Sequence, residues 1–480
     1  MKNIIDNDLT YKLLNRLMFN SLTRKYLIRY IKKVVSSNLD PGKQNIFSKG
    51  NPRIQHEKKM MAFSIIQSLE RSIEKKILNP NIAQEVLKLW AKSLIRPRQE
   101  NKVVNRFYQK NGCRPPWFLV ISPGHFCNLK CRDCYANSAP DTRKLHWHIM
   151  DMLIDEARKL WDIKLVVFSG GEPFAYHSEG RGILDIIEKN PDCLFLAFTN
   201  GTLFDRKLVS RIAECKNITT AFSVEGMRIA TDKRRGNGIF DKVLKSMSLM
   251  KEAGAPFGIS ATVNRYNHND LLTDEFLDFF FNEQGSFYGF YFQYLPIGRN
   301  ASFDLMPTPS QRVDFWKKIW HIIESRKLFL IDFWNHGPLV EGCVSAGRDG
   351  GYLYFDWDGK VMPCVFAPYS VGNIYDIYKN GKTINDIWHS PFLESIRKWQ
   401  RDYGYGNIKL TEKGNWLKPC PYRDHHGQFQ EWVKKYGIEP EDESSGEILC
   451  GIKYHKELAA YDEELARLFD PIWKQKYLGS

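Results

Sequence analysis

The spacing of hydrophobic positions changes twice along this chain. In the first part it is helical: Leu13, Leu14, Leu17, Met18, Leu22, Leu27, Ile28, Ile31 and Val34 recur near a 3.6-residue period, with Arg16, Arg24, Lys25, Arg29, Lys32 and Lys33 between them. Breaks at Pro41-Gly42, Asn51-Pro52 and Asn79-Pro80 divide this region, predicting further helices at about 55–77 and 82–94 before Pro115-Pro116 ends it. From Trp117 onward, β-rich runs near 117–122, 165–169, 194–199, 219–224, 257–263 and 287–294 alternate with helical patterns near 149–161, 180–189, 205–215, 238–253, 272–282 and 309–325. Six strand–helix units in a row imply parallel strands with right-handed crossovers, an α/β fold of the partial (β/α)6 TIM-type barrel kind. After about residue 326 the alternation stops, and Asp358-Gly359 supplies the positive-φ turn of a hairpin over 352–363. The expected organisation is a basic helical region 1–115, a barrel 116–325, a small α+β domain 326–454 and a charged helical tail 455–480.

Charge sharpens that division. Of the 69 Lys and Arg and 55 Asp and Glu in 480 residues, 23 basic and 8 acidic ones fall in residues 1–110, a net of +15, while the remainder is nearly neutral at −1. Basic residues beside an apolar stripe suit a helix lying on an anionic membrane surface, or a helical cap with a solvated face. No recognition motif for nucleic acid accompanies the charge, so that partner ranks lower. No run approaches the ~20 apolar residues of a membrane span, and Asp6 and Asp8 argue against a secretion signal. Ten cysteines without such a signal read as metal ligands and buried thiols in a reducing, cytoplasmic compartment, with the inner membrane face as a peripheral location.

Chemistry concentrates in Gly-His-Phe-Cys-Asn-Leu-Lys-Cys-Arg-Asp-Cys-Tyr, where Cys127, Cys131 and Cys134 directly follow the first predicted strand. Active sites of such barrels lie at the C-terminal strand ends. Three thiolates in one short loop can hold an iron–sulfur cluster and leave one iron without a protein ligand. Zinc instead prefers four closed ligands, and no fourth is offered locally. The second predicted strand ends in Ser169-Gly170-Gly171-Glu172-Pro173, a loop whose carbonyls and carboxylate can hold an ammonium group.

These two motifs, in this order on consecutive strands, make residues 116–300 resemble the radical S-adenosylmethionine (SAM) superfamily. The resemblance implies a [4Fe–4S] cluster on Cys127, Cys131 and Cys134 with one open iron that chelates SAM. It places Gly170, Gly171 and Glu172 at the methionyl amine, Ser223 and Glu225 at the ribose, Asn200 at the third strand end and Arg235 at the SAM carboxylate. Gly258–Val263 and Leu295–Pro296 would pass near adenine. One departure stands out: Asp133 occupies the position before the third cysteine, where the family often has an aromatic ring. The implied activity is reductive cleavage of SAM to a 5′-deoxyadenosyl radical that takes hydrogen from an unactivated carbon, fed by an external flavodoxin- or ferredoxin-type donor. Aromatics at Phe287, Tyr288, Phe290, Tyr291, Phe292 and Tyr294 could shield that radical or serve as core.

Further on, Cys343, Cys364 after Gly359 and Cys420 resemble the auxiliary-cluster extension of the superfamily, of SPASM or twitch type, and imply an auxiliary Fe–S cluster. Its fourth ligand is open among Cys450, Asp424, His425, His426 and none. Cys113, Cys193 and Cys215 lack ligand spacing and read as buried small hydrophobes. A lipid or lipid-linked substrate would account for the basic N-terminus. The alternatives are a peptide or protein maturase and, outside enzymes, a two-cluster electron carrier or degenerate scaffold; the amine-binding loop argues against the last.

Overall fold

Residues 8–40, 51–90, 101–345, 348–405, 410–441, 449 and 451–479 are described by a computed structural model. Pro41-Gly42 and Cys450 lie outside them. Five helices open the chain: α1 (Asp8–Phe19), α2 (Ser21–Asn38), α3 (Pro52–Glu74), α4 (Pro80–Trp90) and α5 (Lys102–Asn111). The Asn-Pro breaks are helix starts. Asn51 accepts from the amides of Arg53 and Ile54 with Pro52 in the first turn, and Asn79 likewise accepts from the amide of Asn81. Met18 and Ile28 of α1 and α2 pack on Leu69, Ile73, Leu78 and Ala83 from α3 through α4.

The six expected strands are present as β1 (Phe118–Ile121), β2 (Leu165–Phe168), β3 (Leu194–Thr199), β4 (Ile218–Ser223), β5 (Phe257–Val263) and β6 (Gly289–Gln293). Two more parallel strands extend them. β7 (Leu330–Asp332) pairs with β6, and β8 (Tyr352–Phe355) pairs with β1, Phe118 opposite Tyr352. The hairpin is real: β9 (Lys360–Met362) runs antiparallel to β8, so the segment expected to stand apart contributes to the barrel sheet. β7 ends one side of the sheet, which makes the barrel partial.

Period-2 alternation divides the two faces of each strand. Leu119, Ile121, Val166 and Phe168 point outward to the surrounding helices. Val120, Val167, Leu196 and Phe198 point into the lumen with Tyr352. TIM-type lumens are commonly filled by such side chains. This one encloses a cavity of about 800 Å³ that runs from the cysteine loop to Leu69 of α3, Leu78 in the α3–α4 connection, and Ala83 and Leu87 of α4.

A buried ion pair fastens the barrel to the C-terminal segment. Arg312, on the helix Pro309–Arg326, donates to both oxygens of Asp424 at 2.6 and 3.1 Å, to Asn335 and to the Leu417 carbonyl, and both charged side chains are fully buried. Burial alone would raise the carboxyl's pKa, but Arg312 and Arg423 hold it far below the usual range. Arg312→Leu should therefore cost about 3 kcal/mol or more by leaving a buried carboxylate under-compensated. Urea unfolding would measure it; a loss below about 1 kcal/mol would contradict the assignment.

Candidate active site and cluster sites

The cysteine loop and the Gly170-Gly171 loop meet backbone to backbone. Gly171 N–H donates to the Gly124 carbonyl at 3.1 Å and Glu172 N–H to the Phe126 carbonyl at 2.8 Å. A Cβ on Gly171 would stand 2.1 Å from the Phe126 oxygen, so only glycine permits the approach. Tyr135, one residue past the third cysteine, locks the second side: its hydroxyl lies 2.5 Å from Ser169 Oγ and accepts from Gly170 N–H at 3.0 Å. A third clamp comes from the turn after β6. Arg299 donates from its backbone to the Cys134 carbonyl and from its guanidinium to the carbonyls of Cys131 and Ser138, and Asn300 reaches the Arg132 carbonyl at 2.8 Å. Gly298 (φ 72°) is tight there as well, since a Cβ would lie 2.3 Å from the Cys134 and Tyr135 oxygens. The signal for this clamp was the Pro-Ile-Gly turn at a strand end, which sequence reasoning passed over.

Cys127, Cys131, Cys134, Gly170, Gly171, Asn200, Ser223 and Arg235 are brought together on the wall of the cavity. Glu172 and Glu225 are not among its lining residues. Glu172 is buried, with one oxygen accepting from Thr199 Oγ1 (2.7 Å) and Phe174 N–H (3.1 Å) and the other from Asn200 N–H (2.8 Å). Burial pushes its pKa up to about 7, against the pull of those bonds. The oxygens of Glu172 and Glu225 are thus bonded within the chain to groups that line the cavity, Asn200 and Arg235 among them. Glu225 takes Arg234 at 2.5 Å, Arg235 at 2.5 and 2.9 Å and Thr262 N–H at 3.2 Å. Arg235 thus reaches the cavity wall as half of an ion pair, and Ser223 Oγ sits 3.3 Å from Ser260 Oγ.

The unusual Asp133 has a partner. Its carboxylate meets Arg234 Nε at 3.0 Å, and its carbonyl accepts from the same guanidinium. Asp133, Arg234, Glu225 and Arg235 form one chain of alternating charges beside the cysteine loop.

Do these residues fit an iron–sulfur cluster? The donor chemistry does: each set offers three thiols to one cavity. Among the described residues, the one group of three His, Cys, Asp or Glu with donor atoms all within 4.8 Å is the exposed His146, His148 and Glu179, so neither cysteine set is gathered around a single ion. Amide donors also face the sulfurs: Leu129 N–H lies 3.5 Å from Cys127 Sγ, and Ser345, Phe366 and Arg423 N–H each lie 3.4 Å from Cys343, Cys364 and Cys420 Sγ. Hydrogen bonds of this kind stabilise thiolates and tune clusters. Burial pushes the Cys127 and Cys343 thiols up to about 12 and raises Cys131, Cys364 and Cys420, so ionisation is coupled to metal loading.

Cys343, Cys364 and Cys420 share a small second cavity whose walls Phe333, Val340, Val344 and Phe366 also belong to the barrel cavity. Tyr352 spans the two, its ring in the lumen and its hydroxyl 2.8 Å from Cys364 Sγ. Three of the proposed fourth ligands are committed elsewhere. Asp424 is held by Arg312 and Arg423, His425 Nε2 by the Lys418 carbonyl, and His426 by the Tyr422 carbonyl and His455.

Comparison with known proteins agrees. Residues 121–279 match the Radical SAM superfamily and residues 343–425 the SPASM iron–sulfur cluster-binding domain. The chain is 31% identical over 186 residues to an Fe-coproporphyrin III synthase of Methanosarcina barkeri, covering 36% of this chain and 43% of that protein, less than half its length. It is 25% identical over 356 residues to a serine-type anaerobic sulfatase-maturating enzyme of Bacteroides thetaiotaomicron, covering 64% of this chain and 80% of that one. The Streptococcus suis SuiB structure bound to S-adenosylmethionine shares the fold, with a TM-score of 0.51 at 16% identity over 85% of this chain and 87% of that chain. The chain carries a radical SAM domain and a C-terminal SPASM domain, and with them the SAM, [4Fe–4S] cluster and auxiliary iron–sulfur cluster of a radical SAM enzyme.

Proposed function

We propose that this enzyme draws a long apolar molecule, a lipid or lipid-linked compound, from an anionic membrane surface into its barrel and takes hydrogen from one of its carbons. The observation that carries this reading is the lumen. Its apolar cavity of about 800 Å³ is within the range of small-molecule sites and continues past the radical site to α3 and α4. Those helices in turn pack against α1 and α2, where Leu22, Tyr26 and Tyr30 form an i, i+4, i+8 stripe exposed to 79%, 73% and 65%. Lys25, Arg29 and Lys33 interleave with that stripe and are exposed too. Exposed apolar groups among cations favour an anionic bilayer, with about 1 kcal/mol per basic residue near its surface. Among the described residues no helix is long and apolar enough to cross a membrane.

When bound, SAM and its cluster supply one-electron cleavage and hydrogen abstraction; radical SAM enzymes take the electron from an external donor. A flavodoxin- or ferredoxin-type donor and a cytoplasmic, membrane-peripheral location fit that need. The chain's own residues position and protect. Asn200 is aligned by Glu172 and places its amide 3.7 Å from Cys127 Sγ. Phe198, Phe290, Phe292 and Phe366 line the approach with rings, whose C–H bonds yield hydrogen less readily than alkyl ones, and exclude water. The second reading, maturation of a peptide or protein, is favoured by the sulfatase-maturating relative.

Reconstituted protein with dithionite and SAM should form 5′-deoxyadenosine faster when phosphatidylglycerol vesicles are added than when peptides are; stimulation by peptides alone would favour the second reading. Gly171→Ala should fall at least about 100-fold in this assay, because the loop approach that seats cluster and SAM is lost; activity within threefold of the parent would refute that geometry. In flotation with the same vesicles, Leu22→Glu, Tyr26→Glu and Tyr30→Glu combined should cut recovery about tenfold or more. Unchanged recovery would remove the membrane from the account.

A further inference from the structure

The wall of the apolar lumen holds buried polar groups that the reaction described above does not use. Four residues of its wall, Ser138, Asn217, Gln293 and His336, hold a buried side-chain polar atom with no hydrogen-bond partner among the described residues. Ser138 belongs to the cysteine loop. Asn217 and Gln293 leave an amide oxygen, since Asn217 Nδ2 donates to three carbonyls and Gln293 Nε2 to Asp332. His336 leaves a ring nitrogen, and that nitrogen carries a hydrogen.

The tautomer follows from the backbone. β7 is an edge strand, so the Asp332 amide is not taken by a neighbouring strand; it donates to His336 Nδ1 at 3.2 Å. An amide can only donate, so Nδ1 presents its lone pair. Burial holds the ring pKa down at about 3, so the imidazole is neutral and its single hydrogen sits on Nε2. A buried N–H without a partner costs stability unless something pairs with it. The ring is braced by Trp320, centroids 4.9 Å apart, and shares the cavity wall with Met61, Phe333 and Leu339.

We propose that His336 is a substrate-binding residue whose Nε2–H donates a hydrogen bond to a carbonyl oxygen, of a ketone or ester, carried by the apolar molecule in the barrel. This rests on the apolar-substrate reading and adds to it that the substrate is not a bare hydrocarbon. The hydrogen bond fixes how far along the chain the reacting carbon falls.

The test uses 2-undecanone, 1-undecanol and undecane as probes of the reconstituted holoenzyme, bound in competition with a fluorescent naphthalene sulfonate. His336→Phe should weaken 2-undecanone about tenfold and leave undecane within twofold. His336→Gln, which can accept from Asp332 and still donate, should restore most of the loss. The carbonyl stretch of bound 2-undecanone should shift to lower frequency relative to alkane solvent in the parent protein, and not in His336→Phe. An unshifted band in the parent would overturn the proposal without any variant. Loss of 1-undecanol but not 2-undecanone binding in His336→Phe would overturn a carbonyl partner and assign the site to alcohols. Failure of all three probes to bind would sink the apolar-substrate reading itself.

Discussion

Gly171 lies against the carbonyl of Phe126, closer than any side chain would allow, and the site is organised around that contact. It brings the end of β2 under the cysteine loop, so three thiols share one cavity wall with Asn200 and Ser223 from the next two strands. The approach is held on three sides: by amide donation from Gly171 and Glu172, by the Tyr135 hydroxyl, and by Arg299 and Asn300 from beyond β6. Backbone contacts of this sort preorganise a site because they leave no side-chain freedom to lose.

Around that contact the ionisable groups divide into layers. Glu172 and Glu225 stand behind the wall and spend their oxygens on the groups in front. Asp133 replaces a ring with a charge, and Arg234 answers it, so the departure from the family pattern is absorbed by a neighbour on the helix Arg228–Arg235. Arg312 and Asp424 serve the SPASM segment as the backbone clamps serve the barrel.

Much of this was legible in the sequence, for definite reasons. Strand–helix alternation has a strong period, so β1 to β6 and the C-terminal placement of Cys127, Cys131 and Cys134 could be read directly. β7 could not: three residues long, it carries no period of its own, and β8, legible as one arm of the hairpin, gave no sign that it would pair with β1. The identity of Gly171 was legible but its reason was not, because the neighbour it makes room for is 45 residues away in the chain. The positions of Glu172 and Glu225 at strand ends were legible, but their partners Thr199, Asn200, Arg234 and Arg235 were not, because side-chain direction at a strand end depends on packing that a single sequence does not encode. The exposed stripe on α2 was readable as an amphipathic pattern, whereas the empty lumen behind it is a property of the assembled barrel.

The central claim is that a radical generated at the mouth of an apolar lumen meets an alkyl chain there. Deuterium transfer addresses it most directly. The reconstituted enzyme would turn over SAM in vesicles whose acyl chains are perdeuterated, and the 5′-deoxyadenosine would be analysed by mass spectrometry. The account predicts one deuterium in the product methyl group; deuterium-free 5′-deoxyadenosine formed at an undiminished rate would contradict it.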